Sequence, residues 1–497
     1  MQTLWPRRPV IYEIHTWVWL NALSQQYQRA LSLGTVPAEE WDALASLNVD
    51  AVWLMGVWER SPEGTRMANE NADLQADFRH ALPDYTVADN VGSAYCVRRY
   101  VVDRHLGGPE GLAVARQMLA QRGLRLLLDF VPNHVAPDHP WVFEHPDYFV
   151  QGTHEDLVQA PGSFFESDGI VIANGRDPYF APWPDVAQLN AFSPSLRQAV
   201  GQTLNEIGAQ CDGIRCDMAM LLINRIFEQT WGGRVGGSPA QEYWREVISA
   251  VRSQHPSVLF LAEAYWDLEW ELQQLGFDYC YDKRLYDRLE RDSAESVRQH
   301  LTAGLDYQDR LVRFLENHDE PRAAATFSPA KERAAAVAIM TLPGAKLLYE
   351  GQFEGWRVRP PVFLARRPVE AVDAELQAFY HRLLAAVRAA KVREGSWLLC
   401  ERRGWPDNQS DLNLLAWCWA AGTERYLVVV NLSEQQSQGR VHLPWNDLAG
   451  RTWQLKDMLD GERFERDGGE VQSAGLYVNL PAWRWYFLHL QPEQSVM

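Results

Sequence analysis

A chain of 497 residues, 46% of them hydrophobic, is too long for one compact core and too apolar to be disordered, so two or three domains are expected. Its formal net charge of -18, with no basic stripe, argues against a nucleic-acid surface and suits a neutral partner such as sugar. Six dispersed cysteines form no Cys-x-x-Cys pair, no signal-peptide core opens the chain, and no apolar run is long enough to span a bilayer. Reduced thiols in a cytoplasmic protein with no membrane partner are the expectation, and oligomeric state is left open. The 21 tryptophans are read mainly as core, with a minority as stacking platforms for sugar rings.

In chain order, 10–15 reads as a first strand, 37–47 as a helix capped by Thr35, and 49–55 as a second strand. A long polar connection from Gly56 to Gly108 is expected to carry small elements of its own. A helix over 109–122 and a third strand over 124–130 follow. From 134 to 189 the text turns rich in His, Pro, Gly, Asp and aromatics, with little helical period. Alternation then resumes: a helix over 193–210, a fourth strand from Asp212, a helix near 240–253 and a fifth strand from Val258. A helix near 268–275 precedes a short sixth strand near 277–281. Helical text over 282–303 leads to a seventh strand at Leu311, a helix over 329–341, an eighth strand over 345–349 and a closing helix over 371–390. Eight such pairs make an α/β fold of the TIM-barrel kind. After Ser396 the period becomes two, the pattern of an all-β C-terminal domain.

Four stretches share one form: an apolar run that stops at a carboxylate. They are Leu126-Leu-Leu-Asp129-Phe-Val-Pro-Asn-His134, Asp212-Gly-Ile-Arg-Cys-Asp217, Val258-Leu-Phe-Leu-Ala-Glu263 and Leu311-Val-Arg-Phe-Leu-Glu-Asn-His318-Asp319. A strand buried on both faces reads this way, and its terminal acid sits at the catalytic edge of a parallel barrel. Arg215 lies two residues before Asp217, so both side chains point to one side of a strand, where a guanidinium keeps a carboxylate ionised and aimed.

In content and order these stretches resemble the four signature regions of the alpha-amylase family, glycoside hydrolase family 13. The resemblance implies a barrel over 1–133 and 190–395, an inserted domain over 134–189 and a C-terminal β domain over 396–497. It implies a retaining alpha-glycosidase acting on alpha-glucosides, or a transglucosylase or phosphorylase using the same covalent intermediate. A remote alternative is an inactive member serving as a binding partner. Asp217 takes the nucleophile position, Glu263 the acid/base, and Asp319 that of a third, supporting carboxylate. His134 and His318 match two sugar-binding histidines, Tyr95 matches the aromatic on which the reacting sugar stacks, and Asp129 is read as positioning His134 and its loop. Trp266 either lines a neighbouring subsite or packs on the barrel top.

Two departures from that family bear on ligands. Met220 and Leu221 stand where calcium-dependent members carry a Lys-His pair, so no metal or other cofactor is expected, although Asn133 remains. Cys96 stands where many exo-acting members carry an Asp that pairs with the counterpart of Arg322. Arg322 therefore needs another anion: an internal acid such as Glu320, Glu59 or Glu354, or a charged group on the substrate. Arg98, Arg99, Arg357 and Arg359 also lie on segments expected near the barrel mouth.

Overall fold

The computed structural model of the chain describes residues 5–493. Eight short apolar segments are strands: Val10–His15, Ala51–Met55, Arg125–Phe130, Gly213–Cys216, Leu259–Ala262, Tyr279–Tyr281, Leu311–Arg313 and Ala345–Tyr349. Nearly every residue in them is buried, as a sheet covered on both faces requires. They close into a barrel in which each strand lies beside its neighbours in chain order. The pairs that can be followed residue by residue are parallel. The expected TIM barrel is therefore the observed fold.

Helices follow the strands, and their starts are chemically marked. Pro194 and Pro329 open two of them, behind Ser193 and Ser328, whose hydroxyls accept from backbone N–H groups of the first turn. Asp373 caps Ala374–Ala389 in the same way. Two starts differ from expectation. The helix Ala38–Ser46 begins at Pro37 with no side-chain cap, and the Thr35 hydroxyl accepts from Ser32 N instead. An unexpected helix, Thr16–Gln26, follows the first strand directly; its cap is His15, a residue type that does not announce a helix start.

The connection after the second strand does carry its own elements. Helices Pro62–Glu70 and Ala72–Ala81 lie between strands Trp58–Arg60 and Val97–Val102, which pair antiparallel. Beyond the third barrel strand, His134–Val135, Trp183–Gln188, Ile170–Gly175 and Phe164–Ser167 make a four-stranded sheet in that order. After Ser396 there is a six-stranded and a three-stranded sheet. Leu414, Leu427, Val429, Trp453 and Leu488 are among the side chains of its core.

The chain divides into two compact units. The first contains residues 11–281 and 358–369; the second contains 282–357 and the described residues from 370 onward.

In the second unit, helix Pro329–Thr341 carries the buried Glu332, whose Oε1 accepts from the Tyr380 hydroxyl at 3.2 Å. Burial first, and repulsion from Glu316 next, push this carboxyl up from 4.5 to about 7. A carboxyl held above its ordinary value keeps its proton more tightly in the folded chain. Its stabilising contribution is complete below pH 4.5 and is lost as pH rises through about 7. Glu332→Gln keeps an acceptor for Tyr380 and removes the titration. The variant is expected to melt at the wild-type temperature near pH 4 and about two degrees higher near pH 8, a gain on the order of 2 kcal/mol. Equal melting temperatures near pH 8 contradict this.

Candidate active site

The first unit holds Tyr95, His134, Arg215, Asp217 and Glu263 of the expected residues, and the strand register positions the last three. Arg215 stands level with Asp129 of the third strand and Leu261 of the fifth. Two residues further on, the chain leaves the sheet at Asp217 and Glu263. Backbone bonds continue the ladder there: Asp217 N–H donates to the Phe130 carbonyl at 2.9 Å and Glu263 N–H to the Cys216 carbonyl at 3.0 Å. Both acids thus ride on rigid strand ends.

One guanidinium joins them. Arg215 Nη1 donates to Asp217 Oδ1 at 2.8 Å, and Nη2 donates to Glu263 Oε2 at 2.7 Å. Asp129 Oδ1 lies 3.5 Å from Nη1. The rings of Trp53, Tyr95 and Tyr281 surround the same guanidinium at 5.2, 5.2 and 5.8 Å. Arg215 is fully buried. Burial alone would lower its pKa, but Glu263, Tyr95, Tyr281 and Asp217 together hold it well above the ordinary arginine value. Asp129 is itself braced, its Oδ2 accepting from Trp53 Nε1 at 3.0 Å and Gly56 N at 3.3 Å.

Glu263 has two further donors, neither foreseen from the sequence. Met218 N–H donates to Oε2 at 2.7 Å, and the Tyr265 hydroxyl donates to Oε1 at 2.8 Å. Met218, the residue after Asp217, holds a left-handed backbone with φ 41°. Tyr265 opens the turn after the strand, in which Trp266 and Asp267 are both left-handed. Sequence spacing does not reveal such a turn.

His134 is buried and hydrogen-bonded to the Tyr95 backbone, and burial pushes its imidazole down to about 4. It is neutral at ordinary pH and offers one donor and one acceptor. The structure thus brings Tyr95, Asp217 and Glu263 around the buried Arg215, and His134 joins this group through the Tyr95 backbone. Trp266 meets Tyr179 edge to face at 4.8 Å, and Tyr179 and Phe180 are 58% and 70% exposed.

The second unit holds the other expected residues. His318 is buried, with Nε2 2.9 Å from Asp319 Oδ2, and the Asp319 side chain is 42% exposed. Asn317 Oδ1 accepts from the N–H groups of Asp319 and Glu320, both at 2.9 Å, and so fixes the turn that presents Asp319.

Arg322 meets an internal acid, one of the two alternatives read from the sequence, but not one of the three acids named there. Its buried guanidinium pairs with Glu316 Oε1 at 2.6 Å, donates to the Glu350 carbonyl at 2.7 Å and lies over the Tyr349 ring at 4.2 Å. Burial opposes its charge, but Glu316 and Tyr349 raise it above its ordinary value. The three acids expected as its partners are engaged elsewhere: Glu59 with Arg98, Glu320 with Lys283, Glu354 with Gln377. Arg322 thus meets an internal acid, and its reading as a substrate contact loses its basis. Cys96, where that acid was missing, is a buried thiol donating to the Asp185 carbonyl at 3.2 Å.

Among the described residues no group of three or more His, Cys, Asp and Glu side chains is arranged to hold a metal ion. Met220 and Leu221 are buried in the 3-10 turn Ala219–Leu222. Asn133 is engaged in a side-chain amide pair with Gln188 at 3.0 and 3.2 Å.

The family model for the catalytic domain of alpha-amylases matches residues 38–360. The chain belongs to the alpha-amylase family. Within it, the chain is 25% identical over 365 residues to an alpha-amylase of Haloarcula japonica, covering 71% of this chain and 45% of that protein. It is 22% identical over 276 residues to an alpha-amylase of Dictyoglomus thermophilum, covering 51% and 52%. The chain thus spans about half the length of these relatives. Among solved structures, a maltogenic alpha-amylase of Thermotoga neapolitana superposes with a TM-score of 0.69 at 17% identity, covering 97% of this chain and 98% of that one. An alpha-amylase of Geobacillus thermoleovorans in complex with acarbose gives 0.69 at 16% identity, covering 99% and 100%. These likenesses establish that this alpha-amylase family member shares their fold.

Arg322→Ala removes the cation from the buried Glu316 and leaves it hydrogen bonds such as that from Ala323 N–H, which is expected to cost roughly 3 kcal/mol. The urea midpoint should fall accordingly, while kcat/KM for a charged and a neutral alpha-glucoside should change by the same factor. A selective loss of the charged substrate would restore Arg322 as an anion contact.

Proposed function

We propose that this chain is a retaining alpha-glycosidase acting on alpha-glucosides, with Asp217 as nucleophile, Glu263 as acid/base and Asp319 supporting the transition state. The observation that carries the reading is the single guanidinium spanning Asp217 and Glu263. A guanidinium reaches two carboxylates only when they are close, which favours the roughly 5–5.5 Å separation of double displacement over the wider gap that an inverting enzyme leaves for water.

In the first step an Asp217 oxygen attacks the anomeric carbon while Glu263 gives its proton to the departing glycosidic oxygen. The C–O bond breaks and a glycosyl ester of Asp217 forms. In the second step ionised Glu263 takes a proton from water, whose oxygen displaces Asp217. The proposed substrate contacts are the neutral imidazole of His134, the ring of Tyr95, and His318. The site is read as lying on a barrel over 1–133 and 190–395, with 134–189 as an inserted domain and 396–497 as a C-terminal domain.

Transfer to a sugar hydroxyl instead of water has one observation in its favour. Tyr179 is exposed beside Trp266, three residues after Glu263, its chain neighbour Phe180 is exposed too, and exposed rings give an acceptor sugar a surface to stack on. One relative, from Bifidobacterium longum, is named an alpha-1,4-glucan:maltose-1-phosphate maltosyltransferase; the match covers 36% of this chain and 20% of that protein. A cytoplasmic location is supported by the six buried free thiols. No described helix is long and apolar enough to cross a membrane.

Asp217→Ala and Glu263→Gln are each expected to lower kcat by orders of magnitude while the chain still folds, although Asp217→Ala, which takes one anion from the buried Arg215, also lowers the melting temperature. NMR of the first-formed sugar should show the alpha anomer, and its ratio to transfer product separates hydrolysis from transfer. A beta anomer as first product would mean inversion and remove Asp217 from the nucleophile role.

A further inference from the structure

The two oxygens of Glu263 are held differently. Oε2 accepts from Arg215 Nη2 at 2.7 Å and from Met218 N–H at 2.7 Å. Both partners only donate, so a proton on Oε2 would face two other protons. A transferable proton therefore belongs on Oε1. There the Tyr265 hydroxyl donates at 2.8 Å and occupies one lone pair. A carboxyl oxygen has a second lone pair, and that one carries the proton toward the oxygen that receives it.

We propose that Tyr265 is a positioning residue that fixes the direction in which Glu263 presents its proton to the leaving group. The proposal rests on the reading of Glu263 as acid/base. The backbone supports it independently. Leu268 N–H donates to the Tyr265 carbonyl at 3.3 Å, closing a turn whose two central residues, Trp266 and Asp267, have φ 63° and 62°. Left-handed φ at both central positions is normally the province of Gly, Asn and Asp, and a Trp there costs conformational energy. The Trp266 ring meets Tyr179, which braces the turn. The turn ties down the carbonyl of Tyr265, which follows the acid by two residues, beyond the end of strand Leu259–Ala262, where simple alternation no longer governs direction.

The charged and titratable groups around Glu263 set the expected signs. Arg215 faces it from the fourth strand, with Asp217 and Asp129 on the same guanidinium and Tyr95 and Tyr281 against its faces. Tyr265→Phe leaves all of these in place. It removes one donor that favours ionised Glu263 over the protonated form, so the acid holds its proton to higher pH. It also frees the carboxyl's proton to point away from the glycosidic oxygen. Proton delivery matters most when the aglycone is a poor leaving group, so the loss should depend on the aglycone.

The test compares kcat/KM, which reports formation of the glycosyl-enzyme, for methyl and nitrophenyl alpha-glucosides across pH. The enzymes are wild type, Tyr265→Phe and Glu263→Gln. For Tyr265→Phe the methyl glucoside is expected to lose about tenfold and the nitrophenyl glucoside less than about threefold. The alkaline limb should move up by about half to one pH unit. An equal loss on both substrates with an unmoved limb overturns the proposal. Glu263→Gln tests the underlying reading separately: it should lose the methyl glucoside by about a hundredfold or more and the nitrophenyl compound far less. If it loses both alike, Glu263 is not the acid, whatever Tyr265→Phe does. Should Tyr265→Phe melt far below wild type, a fluorinated tyrosine at position 265 replaces it. Its stronger donor is expected to move the limb down, and an unmoved limb overturns the proposal.

Discussion

The buried guanidinium of Arg215 is the interaction on which this site depends. A cation fully removed from water is tolerated only if anions and hydrogen bonds surround it. Here Asp217 and Glu263 each take one nitrogen, Asp129 stands 3.5 Å away, and three aromatic rings cover the faces. The dependence runs both ways. Carboxyl groups gathered in one dry place disfavour one another's charge, and Arg215 is what allows Asp217 and Glu263 to stand close together.

Because Arg215 sits inside a strand and its carboxylates at strand ends, the barrel ladder sets their geometry to within a hydrogen bond. Departures from regular backbone come immediately after the acids: Met218 behind Asp217, then Trp266 and Asp267 behind Glu263. Beside each of these stands a donor to Glu263: Met218 presents its own N–H, and Tyr265, the first residue of the turn, presents its hydroxyl. The second unit uses a gentler device, in which Asn317 caps the N–H groups that follow it and so presents Asp319.

The barrel strands were legible because a short apolar run that halts at a carboxylate suits a buried parallel strand and few alternative local structures. The helix starts were legible because Ser, Asp and Pro mark them. The helix Thr16–Gln26 was not legible, since His15 is a poor cap signal and the apolar, aromatic text before Asn21 reads as a buried strand as readily as a helix. Thr35 looked like a cap but serves a local turn with Ser32. In the site, Arg215 was visible from its two-residue offset to Asp217. The partner of Arg322 was not. Glu316 precedes it by six residues across an irregular loop, and which of several nearby acids turns inward is decided by packing, not spacing. Tyr265 was hidden for the same reason.

The central claim is that Asp217, held by Arg215 beside Glu263, becomes covalently attached to sugar. A 5-fluoro-alpha-glucosyl fluoride slows breakdown of such an ester enough for it to accumulate. Peptide mapping by mass spectrometry after incubation with this reagent should find one glucosyl adduct, on the peptide bearing Asp217, and none in Asp217→Ala. An adduct on a different carboxylate, or full turnover of the reagent with a beta-configured product and no adduct, would contradict the account.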